Sequence, residues 1–478
     1  MSRASSVAFR LCLMAIVASL STAPLGAARA QDAGGVEVAA GGLTNPRGVA
    51  WGPDGGMLVA EAGSGGEAAA GEGAGVAPPV GPYGGGPTAA VASIQNRCPV
   101  AVAVGLPSAI SATGEVLGAS AVAFAGDARF VLVSGGGAAH GNPGMANGVY
   151  RIDADGTATL LADLGQWVQD NPVAAPPTAD ADPEGVFPQM IPASDGKSLW
   201  IVERNSGQLL SVSLDGTVTR KADFSVDNQG PTTIAAAADR GVYVGFFSAA
   251  PFADKGAAVM KVGADGSIAT VWKGLTMVSA IAVDADGTLY ATEYSKSRGR
   301  APFSVQGSGR LVKQIGAETL EVVASGINLP IGLGIGPDGA FYVSEPGTGA
   351  NNGQGSVLRV TAGAKPVRVD TADVQEPICG DAATPPPAAG ADTTELIVRV
   401  FDFGFEPATL TVNAGATVLW VNTGAAEHEI VGSANGAQIF DSGPLATGGT
   451  FLYTFAAPGT YDYACSIHPQ MTGRIIVQ

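Results

Sequence analysis

Three side chains able to bind a soft metal stand within seven residues near the end of this 478-residue chain: Cys465, His468 and Met471. Another histidine, His428, lies 37 positions before the cysteine. A thiolate, two imidazoles and a weak thioether are the donors of a blue-copper electron-transfer centre. The thiolate suits Cu(I) and the imidazoles suit both oxidation states. A remote sulfur holds the geometry between the two preferences, so little has to move when an electron arrives.

Such donors need a rigid frame, and the surrounding sequence supplies one. Leu396–Phe401, Ala408–Val412 and Ala416–Val421 precede His428, and Thr450–Phe455, Gly459–Ala464 and Arg474–Val477 follow it. These are short β-branched and aromatic runs broken by Asn413-Ala-Gly415 and Asn422-Thr-Gly424, a pattern that predicts antiparallel strands with tight turns. Cys465 then closes one strand, His468 and Met471 sit on a loop, and the last strand starts just beyond.

On these residues the stretch 394–478 resembles a small cupredoxin, most of all amicyanin and plastocyanin. The resemblance rests on Phe403-x-Phe405-x-Pro407, Val418-x-Trp420-x-Asn422, Tyr461-x-Tyr463-x-Cys465 and the short C-x2-H-x2-M spacing. It implies a Greek-key β-sandwich with type 1 copper held by His428, Cys465, His468 and axial Met471, and His468 as the electron exit edge beside Pro469. One position departs from the family, which commonly has Asn after the first histidine to tie the two ligand loops. Here Glu429 stands there, which puts the surroundings of the metal in question. A sandwich without metal, Cys465 being merely a buried thiol, is the competing reading.

At the other end, residues 1–30 read as a secretion signal. Arg3 and Arg10 are its basic start, Leu11–Leu20 the apolar run and Ala28-Arg-Ala30 the cleavage site. The expectation is a periplasmic or secreted protein with no membrane span. Of four cysteines, Cys12 leaves with that segment and Cys465 is a metal donor. Cys98 and Cys379 remain, an even pair expected to form a disulfide in an oxidising compartment, with two separate buried thiols as the alternative. Net charge is -17, and becomes more negative once Arg3, Arg10 and Arg29 are removed. Nucleic acid and anionic membranes are disfavoured as partners.

Residues 31–379 read as one unit, and between about Gly35 and Asp370 the chain repeats itself. Val36–Gly55 and Leu320–Gly339 align without a gap, and Ala269–Gly287 is a third copy. Six units of four short strands, with Asp-Gly hairpin turns, predict an all-β, six-bladed propeller. Either Val36 onward or Pro366–Asp370 would close the ring. Residues 62–95, rich in Gly and Ala, read as a mobile surface insertion, and 380–393 as a Pro/Ala-rich linker. The repeat pattern resembles NHL-like β-propellers of the ScyD/ScyE type, a resemblance that implies an exported protein and no particular reaction.

Four repeats end their second strand in an acid: Glu61, Glu203, Glu293 and Glu345. Around a ring these could gather into a calcium site or a lactonase-like centre, or each could accept backbone N–H groups of its own repeat. His140 is the sole histidine outside the copper-like segment, so histidine-based acid–base chemistry in the propeller would need it; a flexible loop residue is the plainer reading. The expected function is one-electron transfer to a redox protein partner, with the propeller as docking or substrate-binding module. The rival is a propeller enzyme, a dehydrogenase or lactonase-type hydrolase acting on a small molecule, with the copper unit as acceptor or accessory. A third reading is a scaffold that uses copper only for stability.

Overall fold

The computed structural model describes residues 34–66, 68–69, 80–177, 182–227, 230–248, 252–297, 304–350, 353–369, 379 and 397–478, the last with short breaks at 402–403, 414–415, 423–425, 435–436, 446–449, 456 and 469. The expected signal segment and linker lie outside the described residues. What is described is nearly all β, with one α-helix, Leu164–Asp170. None of its helices is long and apolar enough to cross a membrane.

The described residues between 35 and 369 form six sheets, antiparallel throughout except for one short parallel pairing. Their first strands are Pro46–Trp51, Ala119–Ala125, Gln189–Pro192, Pro231–Ala236, Val278–Val283 and Gly332–Ile335. Each first strand packs against the next in that order, and the sixth returns to the first. The cause lies in the sequence: most of these strands are rich in small or β-branched residues, as in Val278–Val283, buried at five of its six positions. The Asp-Gly pairs form the expected turns, with Gly55 and Gly339 at φ 80° and 76°.

The closing strand is settled by pairing. Gly35–Leu43 runs antiparallel to Gly355–Thr361, with Gly35 opposite Thr361. Val367–Arg368 instead pairs parallel with Thr319–Ile327 of the preceding sheet. The first described strand therefore completes the last of the six sheets, and Cys379 is bonded to Cys98 (S–S 2.10 Å).

The expected mobile insertion at 62–95 is corrected over its described part. Gly84–Gln95 is a strand paired with Met57–Glu61 on one side and Cys98–Ile110 on the other. Its glycines serve close backbone approach: a Cβ on Gly85 would stand 2.4 Å from the carbonyl group of Gly141. Composition alone cannot separate that role from looseness.

Residues 397–478 form two facing sheets. One orders Gly404–Glu406, Ile397–Phe401, Ala416–Asn422 and Thr450–Phe455. The other orders Thr409–Val412, Thr472–Val477, Gly459–Cys465, His428–Ala434 and Ala437–Leu445. Trp420, fully buried, sits between Phe440 and Tyr463 at ring distances of 5.4 and 5.3 Å. His428–Ala434 and Ala437–Leu445 are absent from the sequence expectation, since Gly, Ser and Asp interrupt them. Gly432 shows why the strand tolerates this: a Cβ there would lie 2.1 Å from the Phe440 ring, so the ring takes the space of the missing side chain.

Candidate metal centre

Two adjacent strands bring the donors together. His428 opens His428–Ala434 and Cys465 ends Gly459–Cys465, and these strands pair with Ile430 opposite Cys465. His428 and Cys465 are both fully buried, and His468 is half-buried. Cys465 Sγ lies 3.6 Å from His428 Nδ1 and 3.6 Å from His468 Nδ1, and the two nitrogens are 3.3 Å apart. The centre of this triangle is about 2 Å from each corner, the distance at which first-row metals take nitrogen and sulfur. Among the described residues it is the one cluster of three or more potential metal donors.

The loop is held by its own backbone. Cys465 N–H donates to Met471 O at 3.1 Å, and Met471 N–H to His468 O at 2.9 Å. Met471 is 1% exposed and belongs to the same apolar core as Cys465. Asn422, buried, donates from Nδ2 to Ala426 O and Leu445 O, fixing the approach to His428. The Glu429 N–H points at Cys465 Sγ, 3.5 Å away.

Glu429 makes the loop tie in its own way. Its backbone O accepts from Ser466 N–H at 2.8 Å, and its carboxylate accepts from the Ser466 hydroxyl. The position that departs from the family thus still links the two donor segments. Ser466 escaped the sequence reading because only register places it opposite Glu429.

The glutamates of the repeats do not converge. Glu61 accepts from Thr44 N–H (2.7 Å), Glu203 from Val186 N–H (3.3 Å), Glu293 from Thr276 N–H (2.8 Å) and Glu345 from Asn328 N–H (2.6 Å). In each case the donor lies 17 residues earlier, at the approach to the first strand of the same sheet. Glu203 also takes the N–H groups of Asn205 and Ser206, and Glu293 the Arg310 guanidinium. Burial raises the pKa of Glu61 to about 7 and raises those of Glu203 and Glu293. Four carboxylates spent on separate sheets offer a calcium ion no shared set of oxygens.

His140 is not a flexible loop residue. It is fully buried, with Nε2 2.8 Å from Asp182 Oδ2 and Nδ1 2.6 Å from Gly136 O. Tyr83 meets its ring edge-on at 4.9 Å. Glu184 lies 3.4 Å from Nδ1 and accepts the N–H groups of Ala138 and Ala139. Burial disfavours the imidazolium, but the bonds to Asp182 and Glu184 outweigh it and raise the pKa to about 10.

The six sheets do surround a cavity of about 570 Å³. Its walls include Arg47, Glu115, Arg204, Phe247, Phe252 and Tyr294. Sequence reading named none of these, because they come from four different repeats and lie at or beyond strand ends.

Comparison with known proteins bears on residues 393–478, which match the family described as copper binding proteins, plastocyanin/azurin family. Amicyanin-alpha of Methylorubrum extorquens is 37% identical over 92 residues, 19% of this chain and 76% of that protein. Plastocyanin of Scenedesmus fuscus is 35% identical over 99 residues, 19% of this chain and 94% of that one. Among solved structures, a purple cupredoxin from Nitrosopumilus maritimus is 38% identical, covering 16% of this chain and 81% of its own at a TM-score of 0.15.

Proposed function

Through residues 393–478 the chain belongs to the plastocyanin/azurin family of copper binding proteins, and from that membership we propose that it holds a type 1 copper ion and passes single electrons. His428, Cys465 and His468 are the strong ligands and Met471 the axial one. The observation that carries the reading is the triangle of two imidazole nitrogens and one sulfur at the end of a strand pair. Three such atoms, 3.3 to 3.6 Å apart, can share at most a proton or two between their lone pairs, whereas a soft cation satisfies all three.

When bound, copper supplies a Cu(II)/Cu(I) couple whose two states accept the same donor set. The protein contributes stiffness and dryness. Pairing of His428–Ala434 with Gly459–Cys465 keeps two donors in one register, and the Cys465–Met471 backbone bonds keep the loop from opening. The N–H of Glu429 aimed at Cys465 Sγ steadies negative charge on sulfur. His428 is shut away from solvent while His468 is partly exposed beside Ile467, 44% exposed, so the His468 edge is the route for the electron.

The six sheets we read as a propeller in an exported protein, serving as docking or substrate-binding module for that electron transfer. The cavity at their centre favours substrate binding. A propeller enzyme built on His140 or the glutamate ring finds no support, since those groups are tied up elsewhere.

The test is the visible spectrum of the copper-loaded protein beside Cys465→Ser. An intense thiolate-to-copper band that disappears in the variant is expected. Absence of the band from the unsubstituted protein would sink the electron-transfer reading.

A further inference from the structure

The central cavity carries charge of a kind that solvent-facing surfaces do not explain. Arg47 is 8% exposed. Among the described residues its guanidinium meets backbone carbonyls only: Val116 O at 2.9 Å, Pro46 O at 3.3 Å and Asn45 O at 3.4 Å. Arg204 bonds Glu115 at 2.9 Å across the same cavity. Glu115 is the carboxylate in the cavity wall and acts on both guanidiniums, while Glu203, outside the wall, acts on Arg204 as well, which leaves Arg47 with no carboxylate of its own among the described residues. A buried cation without its counter-charge is costly unless something completes it.

The rest of the wall is apolar and aromatic. Phe247 lies 6.0 Å from both the Phe252 and Tyr294 rings, giving a compact aromatic surface. Tyr294 also feels the charges of Arg47 and Arg204, so the aromatic and cationic parts adjoin. A volume of about 570 Å³ falls in the range of small-molecule pockets.

We propose that this cavity binds a small organic anion with a planar apolar body. Its acid group lies at Arg47 and Arg204, and its body packs on Phe247, Phe252 and Tyr294. An acid group that presents two or more oxygens suits guanidinium donors, and the aromatic wall excludes the water that would compete for it. The inference rests on reading the six sheets as a substrate-binding module and is independent of the copper centre.

The test uses the full-length, copper-loaded protein and two fluorescent probes with nearly the same body. 1-Anilinonaphthalene-8-sulfonate is the anion and N-phenyl-1-naphthylamine its uncharged counterpart. The anion should bind at one saturable site, about tenfold or more tighter than the neutral probe, the scale of a hydrogen bond to a charged group. Arg47→Gln should remove that preference while leaving the neutral probe's affinity unchanged, and Phe252→Ala should weaken both. Equal affinity for the two probes, or an anion affinity indifferent to Arg47→Gln, overturns the proposal. Should Arg47→Gln fail to fold, the two-probe comparison on the unsubstituted protein and on Arg47→Lys still decides it. Anion selectivity without a blue band would refute the copper reading alone, and a blue band without anion selectivity would refute this one alone.

Discussion

At the scale of single residues, Glu429 is the most informative departure. Its carboxylate holds Ser466, next to a metal donor, and its N–H reaches the thiol sulfur. Glu429→Gln keeps the shape and removes a negative charge, which should favour Cu(I) and raise the reduction potential by on the order of tens of millivolts, read by voltammetry. An unchanged potential would mean that the charge is fully screened. His140 allows a pH prediction. Its pKa rises from 6.5 to about 10 on folding because Asp182 and Glu184 outweigh the burial that opposes its charge. A raised folded-state pKa gives stability that is complete below pH 6.5 and is lost as pH climbs towards 10. Denaturation midpoints should therefore fall across that window in the unsubstituted protein, and fall much less in His140→Gln. Glu61, raised from 4.5 to about 7 by burial, acts in a lower window and so can be told apart.

At the scale of elements, ring closure depends on one strand and one covalent tie. Gly35–Leu43 fills the outer place in the last sheet, and Arg359 joins it by an ion pair to Glu37 at 2.9 Å. Cys379 lies against the same strand, 3.4 Å from where a Cβ on Gly42 would stand, and is bonded to Cys98 across 281 residues. Paired Cys98→Ser and Cys379→Ser substitutions should cost about 2–4 kcal/mol in denaturant unfolding, the usual worth of a bond closing a long loop. Loss of under half a kilocalorie would mean that strand pairing alone secures the closure. In the sandwich, Gly432→Val would drive a side chain into the Phe440 ring, and a marked fall in thermal midpoint is expected.

At the scale of the whole molecule, the two units have separate cores: the cluster around Trp420 draws only on residues 398–477. Copper that binds the folded sandwich and not the unfolded chain stabilises that unit alone. Calorimetry should show two transitions, of which chelation lowers one and leaves the other in place. A joint shift would refute the two-unit reading. Net charge of -17 also predicts that electron transfer to a cationic acceptor slows as salt rises.

Donor types, their spacing and the strand rhythm around them are local properties, so the sequence by itself pointed to His428, Cys465 and His468, which the structure gathers, and to the β character of the fold. The Asp-Gly turns were legible for the same reason: a residue without a Cβ is needed where φ is positive. Register and long-range packing are not local. Only the tertiary structure decided that Ser466 faces Glu429, that the glutamates serve separate sheets, and that Gly84–Gln95 is strand. It also decided where His140 is buried and how strand ends from six repeats meet around Arg47 and Arg204. A ring brings together residues hundreds of positions apart, and no pattern along the chain records which of them will meet.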